Sequence, residues 1–160
     1  MASRPDRDGR LGRWLPAGVL LGVLAAMLAF LPARGVVGGS QAGRDLKAVI
    51  HINFSQTTHQ SQGLKNVENI LKAAADQGIR AEIEVVCHAD GIRLVYRNKT
   101  ELAPEVTALM AQGVRFVACQ NTMRQRSITE ADLLPNVGTV PSGAFEVVRK
   151  QQEGFAYFKP

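Results

Sequence analysis

From Lys47 to the end of the chain, short apolar runs alternate with segments in which apolar residues recur every three or four positions. Short β-branched and apolar runs are typical of strands in a covered sheet, and the longer spacing is typical of helices that bury one face. The predicted strands are 48–53, 81–87, 114–119, 137–140 and 154–158. Alternating strands and helices favour a parallel sheet with right-handed crossovers. The sequence therefore predicts a three-layer α/β/α domain with a mainly parallel sheet of about five strands.

Three helices are predicted between these strands, each from apolar residues that share one face. The first ends at Gly78 and the second at Gly113, where glycine suits a left-handed cap. Their apolar residues are Leu64, Val67, Ile70, Leu71 and Ala74 in the first helix and Leu102, Val106, Leu109 and Met110 in the second. The third helix, 142–152, has the apolar residues Phe145, Val148 and, less regularly, Val147. Residues 55–60 are predicted as a loop and 120–132 as a polar connection.

The first 33 residues have the pattern of a membrane-targeting segment. Four arginines within the first 13 residues precede an uncharged, largely apolar stretch from Trp14 to Ala33. A stretch of this length can span a bilayer, and a basic start followed by an apolar segment is also typical of a secretory signal. We therefore expect residues 1–33 to be a signal peptide or membrane anchor, 34–46 a flexible spacer and 47–160 the folded domain.

This segment also predicts where the domain lies. By the positive-inside tendency, the arginine-rich start stays in the cytoplasm. The domain is then expected in the bacterial periplasm or on the extracytoplasmic face of the inner membrane, either anchored through residues 14–33 or released by cleavage.

The charge of the chain argues against a nucleic-acid partner. The net charge is +5, but residues 46–160 hold 13 Lys and Arg against 11 Asp and Glu. A nucleic-acid-binding protein concentrates its basic residues on the folded part. We therefore expect no nucleic-acid binding.

The chain has two cysteines, and each is the last residue of a predicted strand, at its carboxyl end. Ligands of open parallel sheets bind at this edge. Cys119 is followed by an asparagine, a threonine, Arg124 and Arg126, which supply hydrogen-bond donors and positive charge to a thiolate. Cys87 is followed by Asp90, whose negative charge disfavours a thiolate. Cys119 is therefore the candidate reactive residue, with Arg124 and Arg126 as supporting residues.

Other interpretations of the cysteines remain open at this point. Either thiol could be a small buried hydrophobic residue, and outside the cytoplasm the two could form a disulfide if their strands are adjacent. Metal binding by Cys87 with His51, His59 and His88 is disfavoured because no two of these residues have a recognisable ligand spacing. The chain also has no glycine-rich phosphate loop. No metal or cofactor is predicted.

Several segments, taken in order, resemble the DsrE/DsrF-like family of small sulfur-metabolism proteins. They are KAVIHIN at 47–53, VVCHADGI at 85–92, FVACQNTM at 116–123, VPSG at 140–143 and GFAYFKP at 154–160. The resemblance covers about residues 46–160 and implies a DsrEFH-like parallel sheet and frequent oligomers. In the sulfur-relay members a cysteine carries sulfur as a persulfide, and Cys119 falls at that position. Cys87 matches no such position, and the leader departs from relay members, which act inside the cell.

The predicted function is sulfur handling outside the cytoplasm. Cys119 would form a persulfide and act as a sulfur carrier or sulfurtransferase-like protein, with a thiol-bearing donor or acceptor as partner. A non-catalytic oligomeric interaction or small-ligand-binding module and a redox-active or structural disulfide are the alternatives. A homo-oligomer is expected because Phe155, Tyr157 and Phe158 lie on a final strand that the chain itself covers incompletely.

Overall fold

The computed structural model describes residues 45–160. These residues contain five strands, all parallel, in one sheet with the order β4-β3-β2-β1-β5. The strands are β1 (Leu46–Ile52), β2 (Ala81–Cys87), β3 (Arg115–Cys119), β4 (Gly138–Val140) and β5 (Ala156–Phe158). The predicted α/β fold with a five-stranded parallel sheet is confirmed.

Helices cover both faces of this sheet. They are α1 (Thr57–Asp76), α2 (Ala103–Ala111), α3 (Gln120–Gln125) and α4 (Gly143–Gln152), with short 3-10 helices at Ala89–Leu94 and Glu130–Asp132. The chain adds β2, β3 and β4 on one side of β1 and then returns to add β5 on the other. Because right-handed crossovers in opposite directions lie on opposite faces, α4 covers the face that α1 and α2 leave.

Each face has its own apolar core, because successive strand residues point to opposite sides of the sheet. The larger core includes Ile50, Ile52, Val85, Phe116 and the buried side of α1 and α2. The smaller core lies on the α4 face and consists of Val49, Val86, Val117, Val140, Val147 and Phe155. Alternate residues along a strand therefore belong to different cores.

One prediction of local structure is wrong, and two short helical elements are not predicted from the sequence pattern. Helix α1 begins at Thr57, inside the predicted loop 55–60, and the buried Gln60 amide donates to the Phe54 carbonyl at 2.8 Å. Helix α3 lies in the predicted polar connection, where its residues Thr122 and Met123 are buried. The 3-10 helix at Ala89–Leu94 was not predicted. The 3-10 helix and α3 are too short to leave a periodic pattern in the sequence, and the first turn of α1 is polar.

The apolar face predicted for α4 is also wrong. Phe145 and Val148 are 66% and 52% exposed, whereas Glu146, Val147 and Lys150 are buried. The reason is a buried charge on the sheet: Lys150 Nζ lies 3.5 Å from the Glu84 carboxylate in β2. The ion pair fixes which side of α4 packs inward.

Glu84 is 2% exposed, and its contribution to the free energy of unfolding depends on pH. As a carboxylate it has no hydrogen-bond partner for either oxygen, and its cationic neighbours Arg115 and Lys150 lie at 3.4 and 3.5 Å. Burial, together with a hydrogen bond to Glu146 in the protonated form, raises the pKa of Glu84 to about 6. The folded state therefore binds the proton more tightly than the unfolded chain does, and this contribution to stability is lost as the pH rises through about 6.

We expect the stability of Glu84→Gln relative to the parent chain to rise by about 2 kcal/mol between pH 4 and pH 8, because the parent must ionise a buried acid over this range and the amide does not. Loss of the carboxyl group beside Lys150 shifts the variant's stability equally at both pH values. Denaturant unfolding of both chains at both pH values measures the rise. The matched control is Glu82→Gln on the same strand, whose half-exposed side chain forms only a surface ion pair with Lys47, so that its loss should change stability by less than about 1 kcal/mol. The same stability difference between Glu84→Gln and the parent at both pH values would contradict the prediction.

Within residues 45–160, the helices are either too short or too polar to cross a membrane. The predicted signal or anchor, residues 14–33, lies outside the described residues.

Candidate functional site

Four chemically versatile side chains lie near the carboxyl ends of neighbouring strands, on the face covered by α4. Val49, Val86 and Val117 belong to the smaller core, so residues two positions further along each strand share their face. Tyr157 pairs with Val49 in the β1–β5 register and has the same orientation. We call this set the edge cluster: Tyr157 on β5, His51 on β1, His88 after β2 and Cys119 at the end of β3.

The Cys119 thiol is held in a nest of hydrogen-bond donors. The residue is 4% exposed, and burial by itself opposes ionisation of the thiol. The nearby N–H groups of Gly143, Thr122 and Asn121 and the Thr122 hydroxyl outweigh burial and lower the pKa of Cys119 below its ordinary value. The Thr122 hydroxyl oxygen accepts the Ala89 N–H at 3.0 Å, which leaves its own proton free to point elsewhere. The Cys119 thiol therefore ionises more readily than an ordinary cysteine thiol.

Gly143, the first residue of α4, brings that helix against the cluster. A Cβ atom added at Gly143 would lie 2.8 Å from the His88 Cβ and 3.2 Å from the Cys119 Cβ. Only glycine leaves space for this approach. His88 and Cys119 therefore pack against the same backbone position.

Two histidines of the cluster are directly linked. Nε2 of His51 is in hydrogen-bond contact with Nε2 of His88, and Nδ1 of His51 lies 2.9 Å from the Tyr157 hydroxyl. The ring planes are within 10° of parallel, with centroids 4.7 Å apart. Burial, followed by the charges of His88 and Lys159, lowers the pKa of His51 to about 4, and burial and Lys159 lower that of His88 as well. Both imidazoles are neutral at pH 7.

Sequence reasoning missed this pair. His51 and His88 are 37 positions apart and were considered only as metal ligands. Strand parity would have placed both on one face, since each lies two residues after a valine of the smaller core. His59 is not part of the cluster, because its ring packs edge-on against Phe54 with centroids 5.8 Å apart. Within residues 45–160, no three His, Cys, Asp or Glu side chains are arranged to hold a metal ion.

Cys87 occupies a different environment. It is fully buried in the larger core, and burial raises the pKa of its thiol. In the register of β2 and β3 it lies opposite Ala118, so its side chain and that of Cys119 point to opposite faces of the sheet. Both cysteines are free thiols. The alternative of a Cys87–Cys119 disulfide is wrong, because adjacent strands place the backbones close together but direct the two sulfurs apart.

Arg124 and Arg126 are engaged with other side chains. The Arg124 guanidinium contacts the Asn121 side-chain oxygen, and Arg126 forms an ion pair with Asp90 at 2.5 Å. Backbone N–H groups and the Thr122 hydroxyl lower the Cys119 pKa, and these donors depend on tertiary contacts. Support of the thiolate by the two arginines stays a prediction.

A separate cavity of about 260 Å³ lies beside Arg126. Its wall has three cationic side chains and an apolar and aromatic part, formed by Ile92, Arg93, Tyr96, Lys99, Arg126 and Ile128. Such a lining suits a small anion with an apolar body. The alternative of a small-ligand-binding module stays a prediction.

The profile of the DsrE/DsrF-like family matches residues 48–160, which include all four residues of the edge cluster. The chain belongs to the DsrE/DsrF-like family. Among solved structures, it is similar to the protein of unknown function MTH1491 from Methanobacterium thermoautotrophicum, with 35% identity and a TM-score of 0.68. That similarity covers 72% of this chain and 100% of MTH1491. No curated protein matches this DsrE-family chain.

Family membership confirms the resemblance found in the sequence, together with the fold that the resemblance implies. It suggests a role of the sulfur-relay type for this DsrE-family protein. Export or membrane anchoring stays a prediction.

Proposed function

We propose that this DsrE-family protein is a sulfur carrier in which Cys119 accepts sulfane sulfur as a persulfide and passes it to another thiol. The observation that carries the proposal is the position of Cys119, at the carboxyl end of β3, directly before α3 and packed against Gly143 at the start of α4. The N–H groups of Gly143, Thr122 and Asn121 lower the pKa of the thiol there. Since the thiolate is the nucleophile in sulfur exchange, a site that lowers the thiol pKa raises the reactive fraction at neutral pH.

The loading step balances without an external oxidant. The Cys119 thiolate attacks the outer sulfur of a donor persulfide, R–S–SH, and forms a new sulfur–sulfur bond. The donor's own sulfur–sulfur bond breaks, and R–S⁻ leaves with the electron pair. Unloading is the same exchange in the other direction, and the hydrogen-bond donors around Cys119 stabilise the thiolate that it regenerates.

The proposal includes two expectations from the sequence. The carrier acts outside the cytoplasm, as the leader in residues 1–33 indicates. It also self-associates through the edge strand β5, whose outer backbone groups and exposed Phe158 are available to a second subunit, although Phe155 is buried in its own chain.

The test uses the full-length chain with a single thiol. We expect Cys87→Ala, incubated with glutathione persulfide, to gain one sulfur atom, about 32 Da, that a reducing agent removes. The matched Cys119→Ala chain should gain none, because Cys87 is buried and its thiol stays protonated. Intact-protein mass spectrometry measures both. An unchanged mass of Cys87→Ala, with Cys119 open to iodoacetamide, would rule out the carrier function.

A further inference from the structure

The proposed function uses only Cys119 of the edge cluster and gives no role to the other three residues. Tyr157, His51 and His88 form a continuous hydrogen-bonded row across β5, β1 and the end of β2. Tyr157 is 44% exposed at one end of the row. At the other end, His88 packs against Gly143 beside Cys119. The row therefore connects water to the neighbourhood of the reactive sulfur.

The contact between Nε2 of His51 and Nε2 of His88 restricts which nitrogen atoms of the two imidazoles carry a hydrogen. One nitrogen must carry the hydrogen and the other must accept it. If His51 donates to His88, the other nitrogen of His51 accepts the Tyr157 hydroxyl proton. If His88 donates, His51 donates in turn to the Tyr157 oxygen. The two arrangements differ only by protons shifted along the row, so the row can carry a proton between His88 and water.

We propose that His88, backed by His51 and Tyr157, is the general base that takes the proton from an acceptor thiol as that thiol attacks the Cys119 persulfide. The inference rests on the proposed carrier function and names its acceptor class: small thiols that are protonated at neutral pH. The acceptor sulfur bonds to the outer sulfur of Cys119–S–SH, and the sulfur–sulfur bond at Cys119 breaks. The products are R–S–SH, the Cys119 thiolate and a protonated His88, so atoms and charge balance.

The surroundings of His88 fit this role. A small thiol has a pKa of about 8.5 and is mostly protonated at pH 7, so its attack needs a base. His88 is neutral at that pH and can accept the proton. The titratable and charged groups that face it are His51 from β1, Cys119 from β3 and Lys159 after β5, while α4 presents Gly143. His88 and Cys119 both pack against Gly143, so the proton taken up by His88 stays on the same side of the sheet as the new thiolate.

The test is the rate of sulfur transfer from the loaded full-length Cys87→Ala chain to two thiols. N-acetylcysteine is mostly protonated at pH 7, whereas thionitrobenzoate is already ionised. Adding His88→Gln should slow transfer to N-acetylcysteine by about 100-fold at pH 7. Transfer to thionitrobenzoate should be unchanged, and the N-acetylcysteine rate should recover as the pH rises through the pKa of the thiol.

Two further variants keep the test decisive. Tyr157→Phe leaves His88 in place and should lower the N-acetylcysteine rate less than His88→Gln, again with no effect on thionitrobenzoate. His59→Gln changes a histidine outside the cluster and is the matched control. If His88→Gln and Tyr157→Phe slow transfer to both thiols equally, the two residues have a structural role and His88 is not a general base. If His88→Gln loads sulfur normally and transfers it to N-acetylcysteine at the parental rate, His88 is not the base but the carrier function stands. If the Cys87→Ala chain does not load sulfur at all, both proposals are refuted.

Discussion

Replacing Gly91 with alanine is expected to cost about 3 kcal/mol or more of the free energy of unfolding. A Cβ atom at Gly91 would lie 2.5 Å from the carbonyl carbon of Ile52 and 2.8 Å from the Asn53 nitrogen. Both neighbours are backbone atoms at the end of β1, which pairs with β2 and β5 and cannot shift without breaking strand contacts. Denaturant unfolding of the full-length chain measures the loss.

The matched control for this substitution is Gly138→Ala in β4. A Cβ atom there would meet Val117 Cγ1 at 3.5 Å, which is an ordinary van der Waals contact. The control should therefore stay close to the parent in stability. If Gly91→Ala unfolds at the same denaturant concentration as Gly138→Ala, the close approach of the 3-10 helix to β1 is not the constraint described above.

The second large effect is expected from Gly143→Ala, measured at the Cys119 thiol. The new methyl group would lie 2.8 Å from the His88 Cβ and 3.2 Å from the Cys119 Cβ, so α4 or both side chains must move. Movement of α4 takes the Gly143 N–H away from the sulfur, which raises the pKa of the Cys119 thiol. A donor to a charged group contributes about 1.5 to 3 kcal/mol. Alkylation by iodoacetamide at pH 7 should slow about tenfold or more.

This measurement uses the Cys87→Ala background, so that only Cys119 reacts, and follows the alkylation rate against pH. Ser142→Ala is the control, since it removes only the N-cap of α4, where Ser142 Oγ accepts the Phe145 N–H at 3.4 Å. If the two variants slow alkylation equally, fraying of α4 explains the effect and the Gly143 contact does not. A parental rate in Gly143→Ala would show that its N–H does not support the thiolate.

Local pattern was sufficient to predict the sheet. All five strands lie within two residues of the predicted bounds. The central strands β1, β2 and β3 are predicted well because a strand covered on both faces is apolar along most of its length. The same local reasoning placed Cys119 at a carboxyl strand end, which is where α/β sheets bind ligands. The order of five weakly specific segments was enough to suggest the DsrE/DsrF-like family, which the profile match confirms.

Helices without a regular apolar repeat could not be predicted from the sequence pattern. Helix α3 has six residues and buries only Thr122 and Met123, so no periodic signal exists to find. In α4 the sequence pattern indicated the wrong side, because it scores Phe145 as buried and Lys150 as exposed. Glu84 reverses that order: a buried carboxylate must keep a cation nearby, and Lys150 is the residue of α4 within reach.

The sequence by itself determined the composition of the candidate site only in part. It identified Cys119 from its place at a strand end, and it predicted hydrogen-bond donors from the following asparagine and threonine and positive charge from Arg124 and Arg126. The donors from Gly143, Thr122 and Asn121 belong to backbone groups whose directions depend on where α3 and α4 begin. The Tyr157–His51–His88 row likewise exists because the return of the chain after β4 places β5 beside β1, a strand order that no local pattern encodes. Residue types set which chemistry is available to this chain, and the packing of α4 and β5 on the sheet decided which residues meet.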